Sequence, residues 1–156
     1  MASTASQSRP ASGALIPRLA MALILLCLVQ YLLGMALNLF IAIPRHHPGA
    51  EGANYFGSAY RSDLWGIGQG GVLAVHIALG LLLGLAALRL VVAAFMRPSS
   101  AVRAVTLLGG LAVLGSGFNG ASFLVYHEDL SSMLMAALLA LALLCFSWTL
   151  FRVPAG

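Results

Sequence analysis

The chain reads as an all-α, four-helix transmembrane bundle with an N-in/C-in topology. Three observations predict this fold. Of the 156 residues, 61% are hydrophobic and 8% are charged, against about 25% charged in a soluble domain. Four apolar runs each reach the roughly 20 residues that a bilayer core demands. The arginines gather at the ends of alternate runs, the bias that orients membrane helices. A soluble fold of this size cannot hide so much apolar surface, because small domains bury only part of what the unfolded chain exposes. The net charge of +4 is therefore a topology signal, and nothing points to a nucleic-acid partner.

Residues 1–17, rich in Ser, Ala and Pro, read as a flexible cytoplasmic tail ahead of a membrane domain at 18–152. The first span is expected at about 19–43, ended by Pro44. It is too long for a signal-peptide core of about 7–15 residues, and no small-x-small cleavage site follows, so it reads as a retained helix. An outer loop fills 44–68. Its Tyr55, Phe56, Tyr60 and Trp65 suit a headgroup layer, and it reads as a lid on the mouth of the bundle. The second span is expected at about 69–96, and Pro98, Ser99 and Ser100 make the next turn. The third span follows at about 102–126. The fourth, at about 131–151, takes Asp129 or Ser131 as its cap. Placing Arg9, Arg18, Arg89, Arg97, Arg103 and Arg152 inside leaves all four acidic residues outside, with none in a span.

Helical periodicity then assigns faces. Cys27, Gln30, Gly34 and Asn38 share one face of the first span, with Leu25, Leu28, Leu32, Met35 and Leu39 opposite. Trp65, Gln69, His76, Gly80, Leu83 and Ala87 share a face of the second, with Ala78, Leu81, Leu82 and Leu85 opposite. Thr106, Gly109, Val113, Ser116, Gly117, Gly120 and Leu124 share a face of the third, and His127 follows in phase. Leu107, Leu111, Leu114, Phe118 and Val125 lie on its other side. Small and polar residues bring helices together in lipid, so these stripes are the inner faces. Arg89 falls on the lipid side and snorkels to the inner headgroups.

His76 is the ionisable residue at depth, a functional candidate by position. The competing reading is a neutral imidazole bonded to Gln30 or Asn38. His127 is a ligand candidate or a rim residue beside Glu128 and Asp129. Together, His76 and His127 are the pair that would ligate a b-type haem or a metal between the second and third spans. His46, His47 and Glu51 are weaker metal candidates, since no His-x-x-x-His or Glu-x-x-His spacing accompanies them. Gln69 and Asn119 complete the polar inner set. Cys27 and Cys145 lie in apolar runs and read as buried thiols. The glycines at 66, 68 and 71 spell a dinucleotide fingerprint, but that motif needs a preceding strand, and here it opens a membrane helix. There is no Gly-x-Ser-x-Gly elbow and no Ser/His/Asp set, so no catalytic residue is assigned.

The blocks "NLFIAIPRHHPGAEGANYF", "GVLAVHIALG" and "GSGFNGASFLVYHEDLSSMLMA" resemble those of uncharacterised small four-span integral membrane proteins of actinobacteria. The resemblance runs from the first span onward. It implies a multi-pass protein of a bacterial plasma membrane, with no assigned activity or site. The basic set of eight arginines and no lysine agrees with a GC-rich source of that kind.

Function is then expected to be non-enzymatic: an accessory subunit, or a small-molecule-binding bundle whose polar outer mouth is the active feature. The first alternative is a haem- or metal-binding redox protein using His76 and His127. The second is a small oligomeric transporter or channel lined by Gln30, Asn38, Gln69 and Asn119. Expected partners are the lipid bilayer and either another membrane protein or further copies of the chain.

Overall fold

A computed structural model describes residues 15–50 and 52–153. It contains five helices: α1 (Leu15–Phe40), α2 (Tyr55–Gln69), α3 (Gly71–Phe95), α4 (Ser100–Tyr126) and α5 (Asp129–Arg152). Four of them, α1, α3, α4 and α5, are long and apolar enough to cross a membrane, which supports a multi-pass membrane protein. The tail expected at 1–17 falls mostly outside the described residues, and its last three residues belong to α1. Pro17 is tolerated there because the first turn's N–H groups have no carbonyl to meet.

The four long helices form a ring. α1 packs on α3 and α5, and α4 packs on the same two, so α1 faces α4 across a diagonal. α4 and α5 make the tightest hairpin. Its turn is short because His127 takes a left-handed conformation (φ 56°) and donates its N–H to the Phe123 carbonyl. The inner stripes meet in one core. Cys27 and Leu23 of α1, Leu83 and Ala87 of α3, Ala112 and Val113 of α4, and Phe146 of α5 are all buried in it. The leucines predicted to face lipid on α1, α3 and α4 are exposed, and so is Arg89. Two positions on α4 depart from the stripes: Val125 is fully buried, and Gly117 is exposed.

Two buried hydroxyls of the long helices are satisfied within their own segments, as an apolar surrounding requires, whereas the buried Ser58 and Ser62 hydroxyls of α2 have no partner. Thr106 donates to the Val102 carbonyl at 2.8 Å, and Thr149 to that of Cys145 at 2.9 Å. Ser116 instead crosses to the Met135 carbonyl of α5 at 2.9 Å. At the α3–α4 turn Ser99 caps α4, accepting from the Val102 N–H. The cap expected for the last helix differs. Glu128 holds the N-cap position, and no side chain bonds into the first turn.

The segment 44–68, expected as a loop, holds all of α2 except its last residue, Gln69. Asn54 caps it by accepting from the Gly57 N–H at 3.2 Å. Its buried residues, Ser58, Ala59, Ser62 and Gly66, recur at helical spacing. They are small rather than apolar, so hydropathy does not reveal the face. α2 lies against α3 and α4. The helix break falls at Gly70 and Gly71, whose φ values of 70° and 62° belong to glycine. Gly66 and Gly68 lie inside α2.

Candidate functional site: a groove with a buried Gln–His pair

α1 and α3 approach closely where glycines face polar side chains. A Cβ on Gly80 would stand 3.2 Å from Gln30 Nε2, and one on Gly34 would stand 3.3 Å from His76 Cε1. Those two glycines make room for a polar pair. The Gln30 amide nitrogen donates to the His76 carbonyl oxygen at 3.0 Å and lies 3.3 Å from His76 Nε2. Gln30 is 8% exposed, and His76 is half-buried. Gln30 Oε1 and His76 Nδ1 are both buried without a hydrogen-bond partner. Unpaired polar atoms in such surroundings are costly and ask for an explanation.

The pair lines a groove of about 940 Å³ bounded by the four long helices. That volume is at the upper end of the roughly 300–1,000 Å³ typical of small-molecule sites. Polar side chains in the lining include Gln30, Asn38, Asp63, His76, Ser116 and His127, and most of the remaining wall is apolar. The lining extends to Leu81, Leu85, Leu107, Leu111 and Leu114, which are exposed leucines on α3 and α4. The groove therefore opens sideways onto the surface that would meet lipid.

The sequence candidates distribute unevenly around it. His76 meets Gln30, the glue arrangement set against the ligand reading. Asn38 lines the groove but is exposed, because Leu37 takes the buried place in the last turn of α1. Gln69 is exposed at the end of α2 and off the groove's wall. The Gly70–Gly71 break separates it from the periodicity of α3. Asn119 donates to the Gly115 carbonyl of its own helix at 2.8 Å. His127 also lines the groove, but its Nε2 is 3.2 Å from the Pro44 carbonyl, and no hydrogen bond or ring contact joins it to His76. His46 is exposed, and Glu51 lies outside the described residues. Among the described residues no three His, Cys, Asp or Glu side chains gather as a metal-binding group.

His47 instead works as a latch. Its ring stacks on Trp65 at 4.3 Å and 11°, and its Nε2 donates to the Leu124 carbonyl at 3.0 Å. Tyr55 adds a second tie, donating to the Phe118 carbonyl at 2.9 Å while accepting from Ser122 at 3.1 Å. Both connect the 44–69 segment to α4 beside the groove. Losing one stack and one hydrogen bond removes about 1–2 kcal/mol. We therefore expect His47→Ala to raise hydrogen exchange in residues 44–50 about tenfold, read by mass spectrometry. Unchanged exchange would remove the latch.

Asp63 is the groove residue that sequence reasoning missed. It looked like an ordinary loop acid, but α2 turns it into the groove wall, half-buried. Burial raises its carboxyl above the usual carboxylate range. The fold is then favoured while Asp63 is protonated. That advantage is lost as pH climbs from the ordinary carboxyl range through the raised value. Asp63→Asn is expected to match the wild type in melting temperature at acidic pH and exceed it at neutral pH. An equal difference at both would show that the carboxyl is not destabilised by burial.

A four-helix membrane bundle with a lateral, polar-ended groove is the class of protein these features define. No family model, curated protein or solved structure matches the chain.

Proposed function

We propose that the chain is a non-enzymatic, small-molecule-binding bundle of a bacterial plasma membrane, of actinobacterial type, whose groove takes an amphipathic ligand from the bilayer. One observation carries this reading: the groove combines an apolar wall open towards lipid with two buried polar atoms that no protein group satisfies. Apolar walls with a few oriented polar groups are the usual build of a ligand site. The arginine distribution supports both termini inside. Arg97, Arg103 and Arg152 cluster at the end bearing the α3–α4 turn, while Asp63, Glu128 and Asp129 lie at the α2 end together with Arg45 and Arg61. On that orientation the groove's polar end faces outward, under α2. The haem or metal alternative gains nothing from the side-chain geometry, since Gln30 engages His76 Nε2 and the Pro44 carbonyl engages His127.

Purification in a mild detergent, followed by organic extraction and mass spectrometry, tests the reading. The expected result is one amphiphile enriched near one per chain over bulk lipid. An extract with bulk membrane proportions, together with no saturable binding of an apolar fluorescent probe, would overturn it.

A further inference from the structure

We infer that the groove binds a single-chain cationic amphiphile, its ammonium head paired with the Asp63 carboxylate at the α2 end and its chain laid along the leucines of α3 and α4. This rests on the groove being a ligand site. Asp63 is the acidic side chain in the groove wall, and among the described residues no arginine lines that wall. The chain has no lysine at all. Arg45 and Arg61 are exposed, and neither forms an ion pair with Asp63. The Asp63 carboxylate oxygens accept no hydrogen bond from the described residues, yet they are not sealed from solvent as Gln30 Oε1 and His76 Nδ1 are. Asp63 therefore offers a groove ligand an unpaired, reachable acceptor. Its half-buried setting leaves the charge poorly solvated, and a cation set beside it offsets that cost.

Charge decides among the possible heads. An anionic head would meet Asp63 with no arginine in the wall to offset the repulsion. A zwitterionic phospholipid would bring a phosphate, the group that arginine and lysine recognise, and neither is present there. His127 also lines the wall, but its Nε2 is 3.2 Å from the Pro44 carbonyl, and the His76 ring faces Gln30. The groove's length suits one extended chain. Its α3 lining runs from Leu73 to Val91, about 27 Å at 1.5 Å per residue and close to the roughly 30 Å of a bilayer core. The head end is fixed at Leu73. A Cβ on Gly66, one turn beyond Asp63, would stand 3.3 Å from Leu73 Cδ2. From there the chain passes the exposed Leu81 and Leu85 of α3 and Leu111 and Leu114 of α4.

The test uses the full chain in phosphatidylcholine nanodiscs at neutral pH and reads displacement of an apolar fluorescent probe. Four competitors share a palmitoyl-length chain: hexadecylammonium, hexadecanol, palmitate and palmitoyl lysophosphatidylethanolamine. Each is referred to its concentration in the bilayer, measured with empty nanodiscs. Hexadecylammonium is expected to act at about tenfold lower concentration than hexadecanol, a gain of the size of a hydrogen bond to a charged group. Palmitate is expected to be the weakest. Asp63→Asn should remove the ammonium's advantage and leave hexadecanol unchanged. Glu128→Gln removes an exposed acid at the same end and should leave the advantage intact. Equal displacement by ammonium and alcohol in the wild type overturns the head site while leaving the groove standing. So does an advantage that survives Asp63→Asn or is lost equally in Glu128→Gln. Palmitate or lysophosphatidylethanolamine matching hexadecylammonium overturns the choice of a net cation. A probe that never binds saturably, with no effect of any competitor, overturns the groove as well.

Discussion

Gly84→Leu combined with Gly117→Leu should abolish ligand binding while leaving the bundle folded. Both glycines line the groove, and a Cβ at either would meet nothing within 4 Å. The added leucines would therefore occupy the space that a ligand needs, without displacing a helix. Replacing glycine inside a helix also favours the helix by up to about 1 kcal/mol per site. The expected outcome is a loss of at least tenfold in affinity for an apolar probe, with a melting temperature at or above that of the wild type. Each single substitution should give a partial loss. Retained affinity in the double variant would mean that the ligand lies elsewhere. Gly80→Leu is the instructive contrast, because its Cβ would press on the Gln30 amide and disturb the pair itself.

Gly109→Leu should be strongly destabilising to the packing of the long helices. A Cβ there would come 2.8 Å from Phe146 Cε1 and 2.9 Å from Cys145 Cβ. Phe146 is fully buried in the core shared by the four long helices, so it has nowhere to move. Overfilling a packed core costs about 1–3 kcal/mol or more, and here it wedges the tightest helix pair apart. Thermal unfolding in detergent should show a drop of several degrees even for Gly109→Ala. Gly117→Ala, on the same helix but facing open space, should show none. If both behave alike, α4 and α5 are not held by close contact at Gly109.

Much of the bundle was legible in the sequence. The four spans follow from length and hydropathy, and the exposed leucines of α1, α3 and α4 follow from a 3.6-residue period. Gln30 and His76 were placed on facing stripes, and the structure puts them in contact. Reading failed where the local signal was weak or interrupted. α2 buries serine, alanine and glycine, so its inner face has no hydropathy signature. Helical period puts Gln69 in phase with His76, but the break at Gly70 and Gly71 resets the phase. The register of Asn38 predicts an inward side chain, but in the last turn of α1 Leu37 takes the buried place and Asn38 is exposed. The latch of His47 on Trp65 joins two segments that no periodicity connects.

By itself, then, the sequence determined four spans and most of their inner faces. The physical reason is that lipid offers no backbone hydrogen bonds. Each spanning segment must satisfy its own, which makes its structure a local matter of length, hydropathy and period. Only the tertiary structure decided that a groove exists, that Asp63 joins its wall, and that two polar atoms of the Gln30–His76 pair stay unpaired. Those features depend on where neighbouring helices close up and where they part. That spacing is set by contacts such as Gln30 with Gly80 and Gly109 with Phe146, between residues far apart in the chain.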